Sequence, residues 1–231
     1  MISILHHLGL GDAIMLNGMV RHFAEREDVC IFVKKQHVDS VKFMYRDLNN
    51  VKIKPVNTTD AREMWMQVEG TPFPLATYKL PDDTWNFITS GPVSDMANWA
   101  HSIYIQAGIP PKYMYSKFKV VRDRESEIKY ESDDYTFVHD DETRGMKIDI
   151  PTKDVFRVTE ERLKNRSNIF DYLTVIENAK EVHCMDSCYA WMINLMEIGD
   201  PTKNFLHLDV KGNYTPRMVK TVFGDDLWSY V

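Results

Sequence analysis

Met1-Ile2-Ser3-Ile4-Leu5-His6-His7-Leu8 gives way to Gly9-Leu10-Gly11-Asp12 and then to Ala13-Ile14-Met15-Leu16-Asn17-Gly18, and this opening decides the fold. An apolar, partly β-branched run, cut by glycines and followed by apolar residues at helical spacing, reads as strand, tight turn and helix. The turn is where chemistry belongs. Gly9 and Gly11 are expected to take positive φ and bring the backbone close to a ligand, while the helix aims its first N–H groups at the same spot. Asp12 stands there either as a proton acceptor or as the helix cap, a role that Asp often fills.

Downstream, residues 13–25 carry apolar side chains three and four apart, as a helix packed on a sheet requires. Val29-Cys30-Ile31-Phe32-Val33 is a continuous apolar run of strand length, suited to a parallel sheet covered on both faces. Residues 38–48 are helical in pattern, and Val51-Lys52-Ile53-Lys54-Pro55-Val56 is a short alternating strand. The resulting β-α-β-α-β order implies a parallel sheet with a ligand crevice at the carboxyl ends of its strands. Between 57 and 81 a helix over 61–68 and a strand over 73–80 are expected, then a loop or strand end at 85–92. Residues 95–107 read as a helix closed by Gly108 and Pro110. Residues 113–121 read as extended, and the charged run 122–134 as a solvated connector.

A second unit starts with the strand Tyr135-Thr136-Phe137-Val138-His139. A helix over 169–179, a strand over 181–185, the turn Asp186-Ser187, a helix over 188–196 and a strand over 205–208 follow, with the tail 215–231 docking as a helix. Strand, polar turn and helix thus occur in both halves.

At 231 residues, 44% hydrophobic and 27% charged, the chain is an ordinary soluble globular one. No apolar stretch approaches the roughly 20 residues that span a bilayer, and the start lacks the charged region of a secretory signal, so a cytoplasmic protein is expected. Three cysteines, Cys30, Cys184 and Cys188, argue for reduced thiols and lack the spacing of a zinc site. A net charge of −6 gives no global attraction for nucleic acid or anionic membrane. The 12% aromatic content supplies rings that line sugar or base sites as well as cores.

The stretch from His7 to Ile14 resembles the N-terminal Gly-Asp turn of heptosyltransferase-like glycosyltransferases. Ile176-Glu177-Asn178-Ala179 through Val182-His183-Cys184-Met185-Asp186-Ser187 resembles their donor-side strand, turn and helix. The resemblance implies an α/β, GT-B-like fold: two small Rossmann-like domains with parallel sheets facing a central cleft. It divides the chain into an acceptor domain over 1–125 and a nucleotide-sugar donor domain over 126–231, with the C-terminal helix docking back. It makes Asp12 the general base and puts Asp186 and Ser187 on the donor side; Gly9, Gly11 and the strand-end His7 are acceptor-side candidates from their own place at the turn. His139 followed by Arg144 is similar to the His and Arg turn of GT-B fucosyltransferases, where a guanidinium grips the diphosphate.

The resemblance implies a sugar moved from a nucleoside-diphosphate sugar to an acceptor hydroxyl with inversion and without a metal. The acceptor is a glycan, a small molecule or a modified nucleobase. Asp140-Asp141-Glu142 offers hard oxygen ligands, but it does not fit the Asp-x-Asp spacing of the other glycosyltransferase fold, so Mg²⁺ and other cofactors are not expected. Of His6 and His7, at least one is expected as a satisfied buried imidazole. Two other readings compete. An NADP-dependent oxidoreductase would use Gly9-x-Gly11 with Lys34 and Lys35 at a 2′-phosphate, although Ile14 stands where the fingerprint wants Gly or Ala. A non-catalytic nucleotide- or glycan-binding module would need only the fold.

Overall fold

The computed structural model describes residues 1–6, 9–57, 64, 66–74, 78–79, 85–86, 99–141, 145–208 and 216–231. The chain separates into two compact units, Met1–Val121 and Arg122–Val231. Among the described residues no helix is long and apolar enough to cross a membrane.

In unit 1, β1 (Ile2–Leu5), α1 (Leu10–Met15), α2 (Asn17–Ala24), β2 (Val29–Lys34), α3 (Val38–Met44), β3 (Val51–Val56) and β4 (Thr71–Pro74) build a parallel sheet in the order β3-β2-β1-β4. β1 is wholly buried and β2 nearly so, which is why both read as unbroken apolar runs. Ser3, the polar exception on β1, donates to the Glu69 carbonyl at 2.6 Å. A two-stranded ribbon, β5 (Tyr78–Lys79) with β6 (Trp85–Asn86), and the helices α4 (Trp99–Gln106) and α5 (Tyr113–Ser116) complete the unit. The helix expected over 61–68 and the loop after Asn86 lie largely outside the described residues.

The single helix expected over 13–25 is two. The Tyr104 hydroxyl, fully buried, donates to the Met15 carbonyl at 2.8 Å and accepts from the Met19 N–H at 3.2 Å. It thereby occupies the place of the Met19-to-Met15 rung and splits the ladder at Leu16. Gly18 is required just beyond, because a Cβ there would strike the Tyr113 carbonyl where α2 and α5 approach. Residues 113–116 are therefore helical, not extended: Pro110 and Pro111 preset the first turn, and their carbonyls accept from the Tyr113 and Met114 N–H groups at 2.9 and 3.0 Å.

In unit 2, β7 (Thr136–His139), β8 (Val155–Arg157), α6 (Glu160–Asn165), α7 (Leu173–Asn178), β9 (Glu181–Met185), α8 (Cys188–Leu195), β10 (Asn204–His207), α9 (Pro216–Phe223) and β11 (Ser229–Tyr230) give a second parallel sheet in the order β11-β10-β9-β7-β8. Counted from β7 this is the 2-1-3-4-5 order of doubly wound folds. The tail is a helix followed by a strand, with Trp228 buried and its indole N–H donating to Asn194 Oδ1 at 3.2 Å. A 3₁₀ turn, Ile169–Tyr172, forms the first part of the helix expected over 169–179.

The charged run after 121 is a solvated connector only in part: Arg124, Glu125, Lys129, Glu131, Asp133 and Asp134 are exposed, but Glu127 is not. Glu127 is 4% exposed; it accepts from Arg122 Nε at 2.9 Å and from Thr174 Oγ1 at 2.6 Å. Arg122 also pairs with Glu177. Burial works against the Glu127 charge, and the bonds from Arg122 and Thr174 outweigh it, holding the carboxyl below its usual range. On the unit 1 side of the join, Asn17 accepts from the Lys119 N–H at 3.0 Å and donates to its carbonyl at 3.2 Å, and Arg21 Nε donates to that carbonyl at 2.9 Å.

Candidate functional site

Both sheets reverse strand order once, and ligands of open parallel sheets bind outside the carboxyl ends of the strands at such points. In unit 1 the reversal lies between β1 and β4. The segment leaving β1 carries Gly9, Gly11 and Asp12, while His7 lies outside the described residues. Gly9, not Asp12, holds the N-cap position of α1, with φ −69° and ψ 148°. Neither Gly9 nor Gly11 is among the glycines at positive φ, so the expected left-handed turn is not there. A Cβ on Gly9 would instead meet Asp12 Oδ2, so a side chain there would have to push the Asp12 carboxylate aside. The Asp12 carboxylate therefore folds back over the Gly9 backbone from the first turn of α1. His6 is buried and donates from Nε2 to the Phe32 carbonyl at 2.9 Å.

In unit 2 the reversal lies between β7 and β9. β7 ends in His139, which registers with Cys184, and β9 ends at Met185, directly before Asp186 and Ser187. The fold thus brings His139 and Ser187 together, with Ser187 Oγ 3.0 Å from His139 Nδ1. Ser187 is also the N-cap of α8, accepting from the Ala190 N–H at 3.5 Å. The hydroxyl thus shares one hydrogen bond with Nδ1 while a lone pair is turned to the Ala190 N–H. The Tyr189 ring stacks on His139 at 4.2 Å, a support the sequence reading missed; the adjacent aromatic at the helix start was its only signal.

Arg144 lies outside the described residues. Of the acidic triplet, Asp140 turns inward: it accepts from the Ile148 N–H at 2.9 Å and pairs with Arg157, whose Nη2 donates to the Ile148 carbonyl at 3.0 Å. Asp140 is thus a fixture of the β7 loop, its Oδ2 held by both Arg157 and Ile148. Nearby, His183 Nδ1 meets His207 Nε2 at 2.9 Å and His183 Nε2 meets Glu181 Oε2 at 3.3 Å. Burial, reinforced by the His183 neighbour, pushes His207 down to about 4. A depression in unit 2 lined by Ser126, Ile128, Arg162, Arg166 and Tyr172 contains none of the candidate residues.

Compared by sequence, the chain matches no protein-family model and no curated protein. Compared by structure, it is similar to the iron-containing dodecameric glycosyltransferase TibC from enterotoxigenic E. coli H10407, with a TM-score of 0.50 and 14% identity over 94% of this chain. The chain spans 60% of that neighbour's length. TibC holds iron; among the described residues here no three His, Cys, Asp or Glu side chains are grouped so as to hold a metal ion. The likeness is one of fold: two α/β units with parallel sheets, GT-B-like, in the manner of a glycosyltransferase.

Proposed function

We propose that the chain is a nucleotide-sugar-dependent glycosyltransferase, inverting and metal-independent. The observation that carries the reading is that each unit sets polar side chains at the carboxyl-end reversal of its own sheet: Asp12 in one, the His139–Ser187 pair in the other. The glycosyltransferase fold of the structural neighbour supports it. In this reading the acceptor hydroxyl gives its proton to the Asp12 carboxylate as its oxygen bonds to the anomeric carbon. The bond from that carbon to the phosphate oxygen breaks, and the nucleoside diphosphate leaves with the electron pair. His139, Asp186 and Ser187 hold the donor, and the N–H groups opening α8 face the charge that develops on the leaving group. Arg144 joins them in the proposal.

Release of UDP, GDP or ADP from a panel of nucleotide sugars tests this directly. Asp12→Ala should lower turnover by about 10²–10⁴-fold and leave nucleoside diphosphate affinity unchanged. An equal loss of both would make Asp12 structural, and stabilisation by no nucleotide at all would remove the donor half.

A further inference from the structure

The carboxyl edge of unit 1 carries charge that the transfer chemistry above does not use. β2 ends in Lys34, and Lys35 and His37 follow in a single 3₁₀ turn. Neither lysine side chain has a hydrogen-bond or ion-pair partner among the described residues. Their counterparts on the neighbouring strand behave differently. Lys52 and Lys54 both close on Glu69, at 2.8 and 3.0 Å. The chain as a whole is acidic, with net charge −6, so two uncompensated ammonium groups side by side are not a by-product of basic composition.

Their position matters more than their number. His37 is half-buried and within electrostatic reach of Lys34, His6 and Asp12. Burial and the Lys34 charge push its imidazole down to about 4, so at neutral pH it is an uncharged donor. The end of β2 and the turn after it thus carry two cations and a neutral imidazole, and the imidazole lies within electrostatic reach of the Asp12 carboxylate. A neutral acceptor would leave the cations idle, whereas an anion next to Asp12 needs them to offset repulsion. Two ammonium charges and an imidazole N–H match the near-double charge and three acceptor oxygens of a phosphate monoester.

We propose that Lys34, Lys35 and His37 bind a phosphate group carried by the acceptor, which makes the acceptor a phosphorylated hydroxyl compound such as a sugar phosphate. The word acceptor rests on the transfer reading; the phosphate site does not.

The test titrates the whole chain with inorganic phosphate, glucose 6-phosphate and glucose at low ionic strength while following the ring resonances of His37. Both phosphates should shift that ring, and glucose 6-phosphate should bind at least about tenfold more tightly than glucose. Replacing both lysines, Lys34→Ala with Lys35→Ala, should cost about tenfold in glucose 6-phosphate affinity and leave UDP affinity unchanged. Because the ring shift is read in the unsubstituted protein, the assignment does not hang on the variant folding. Equal binding of glucose and glucose 6-phosphate, or an unmoved His37 ring, overturns the site. Tighter binding of NADPH than NADH, lost with the lysines, overturns it in favour of a dinucleotide. Phosphate binding at these residues without nucleoside diphosphate binding or sugar turnover keeps the site and removes the transfer reading. Nucleoside diphosphate binding and turnover with no phosphate effect does the reverse.

Discussion

Two helices open at the carboxyl edges of the two sheets, and they open differently. α1 starts from Gly9, with no side chain at the cap, and its Asp12 carboxylate lies back over that glycine. α8 starts from Ser187, whose hydroxyl is held by the Ala190 N–H and by His139 together. Capping preference weighs equally on Asp12 and on Asp186-Ser187 when only the sequence is read. In the fold neither aspartate holds the N-cap position. The contrast shows that the same signature can mark a charged group riding on a bare turn or a hydroxyl knitted into its surroundings, and that only the residue at the cap tells them apart.

That contrast can be broken from the unit 2 side first. The segment after β7 is held by Asp140, whose side chain is almost fully buried against Arg157. Arg157→Ala leaves this carboxylate without its partner and should cost about 3 kcal/mol of unfolding free energy in urea titration. A loss below about 1 kcal/mol would mean that the pair is dispensable. Ser187→Ala removes one cap bond and one imidazole partner together, an expected cost of about 1–2 kcal/mol, with Ser187→Thr recovering most of it. If alanine and threonine are equivalent, Ser187 is not the fixture described here.

A smaller effect sharpens the comparison through pH. His37 in unit 1 and His207 in unit 2 are both pushed down to about 4, in each case by burial first and by a neighbouring cation or imidazole second. Each binds its proton more weakly folded than unfolded, so its stabilisation is complete above the unfolded value of about 6.5 and is lost as pH falls from about 6.5 to about 4. Each should contribute on the order of 1 kcal/mol across that window after screening. His207→Asn should flatten the acid limb of unfolding; His183 and Glu181 beside it, and Asp140, which favours its charged form, must be left in place. An unchanged limb would assign the acid sensitivity elsewhere.

Much of this fold is written locally. β1, β2 and β9 are short apolar runs whose burial on both faces makes them legible, and the corner after β9 starts its helix where Ser187 says it should. What stayed hidden depends on partners distant in the chain. The break at Leu16 needs the Tyr104 hydroxyl, the burial of Glu127 needs Thr174 and Arg122, and β11 is a strand because β10 offers it an edge. For the site, position was readable and geometry was not. Gly9 and Gly11 signalled a special turn, yet Gly9 takes an ordinary torsion and what its missing side chain leaves is room for the Asp12 carboxylate. Tyr189 beneath His139 gave only its place at the helix start as a signal, and the inward turn of Asp140 gave none of its own.

The peptide joining the units is fastened on both banks. Asn17 and Arg21 grip the Lys119 backbone, and Arg122 is pinned by Glu127 and Glu177. Only Val120 and Val121 lie between these anchors. Both are β-branched, and their crowded side chains restrict the backbone conformations open to these two residues. A pair of glycines at that spot would lift this restriction and leave the hydrogen bonds at Lys119 and Arg122 their partners.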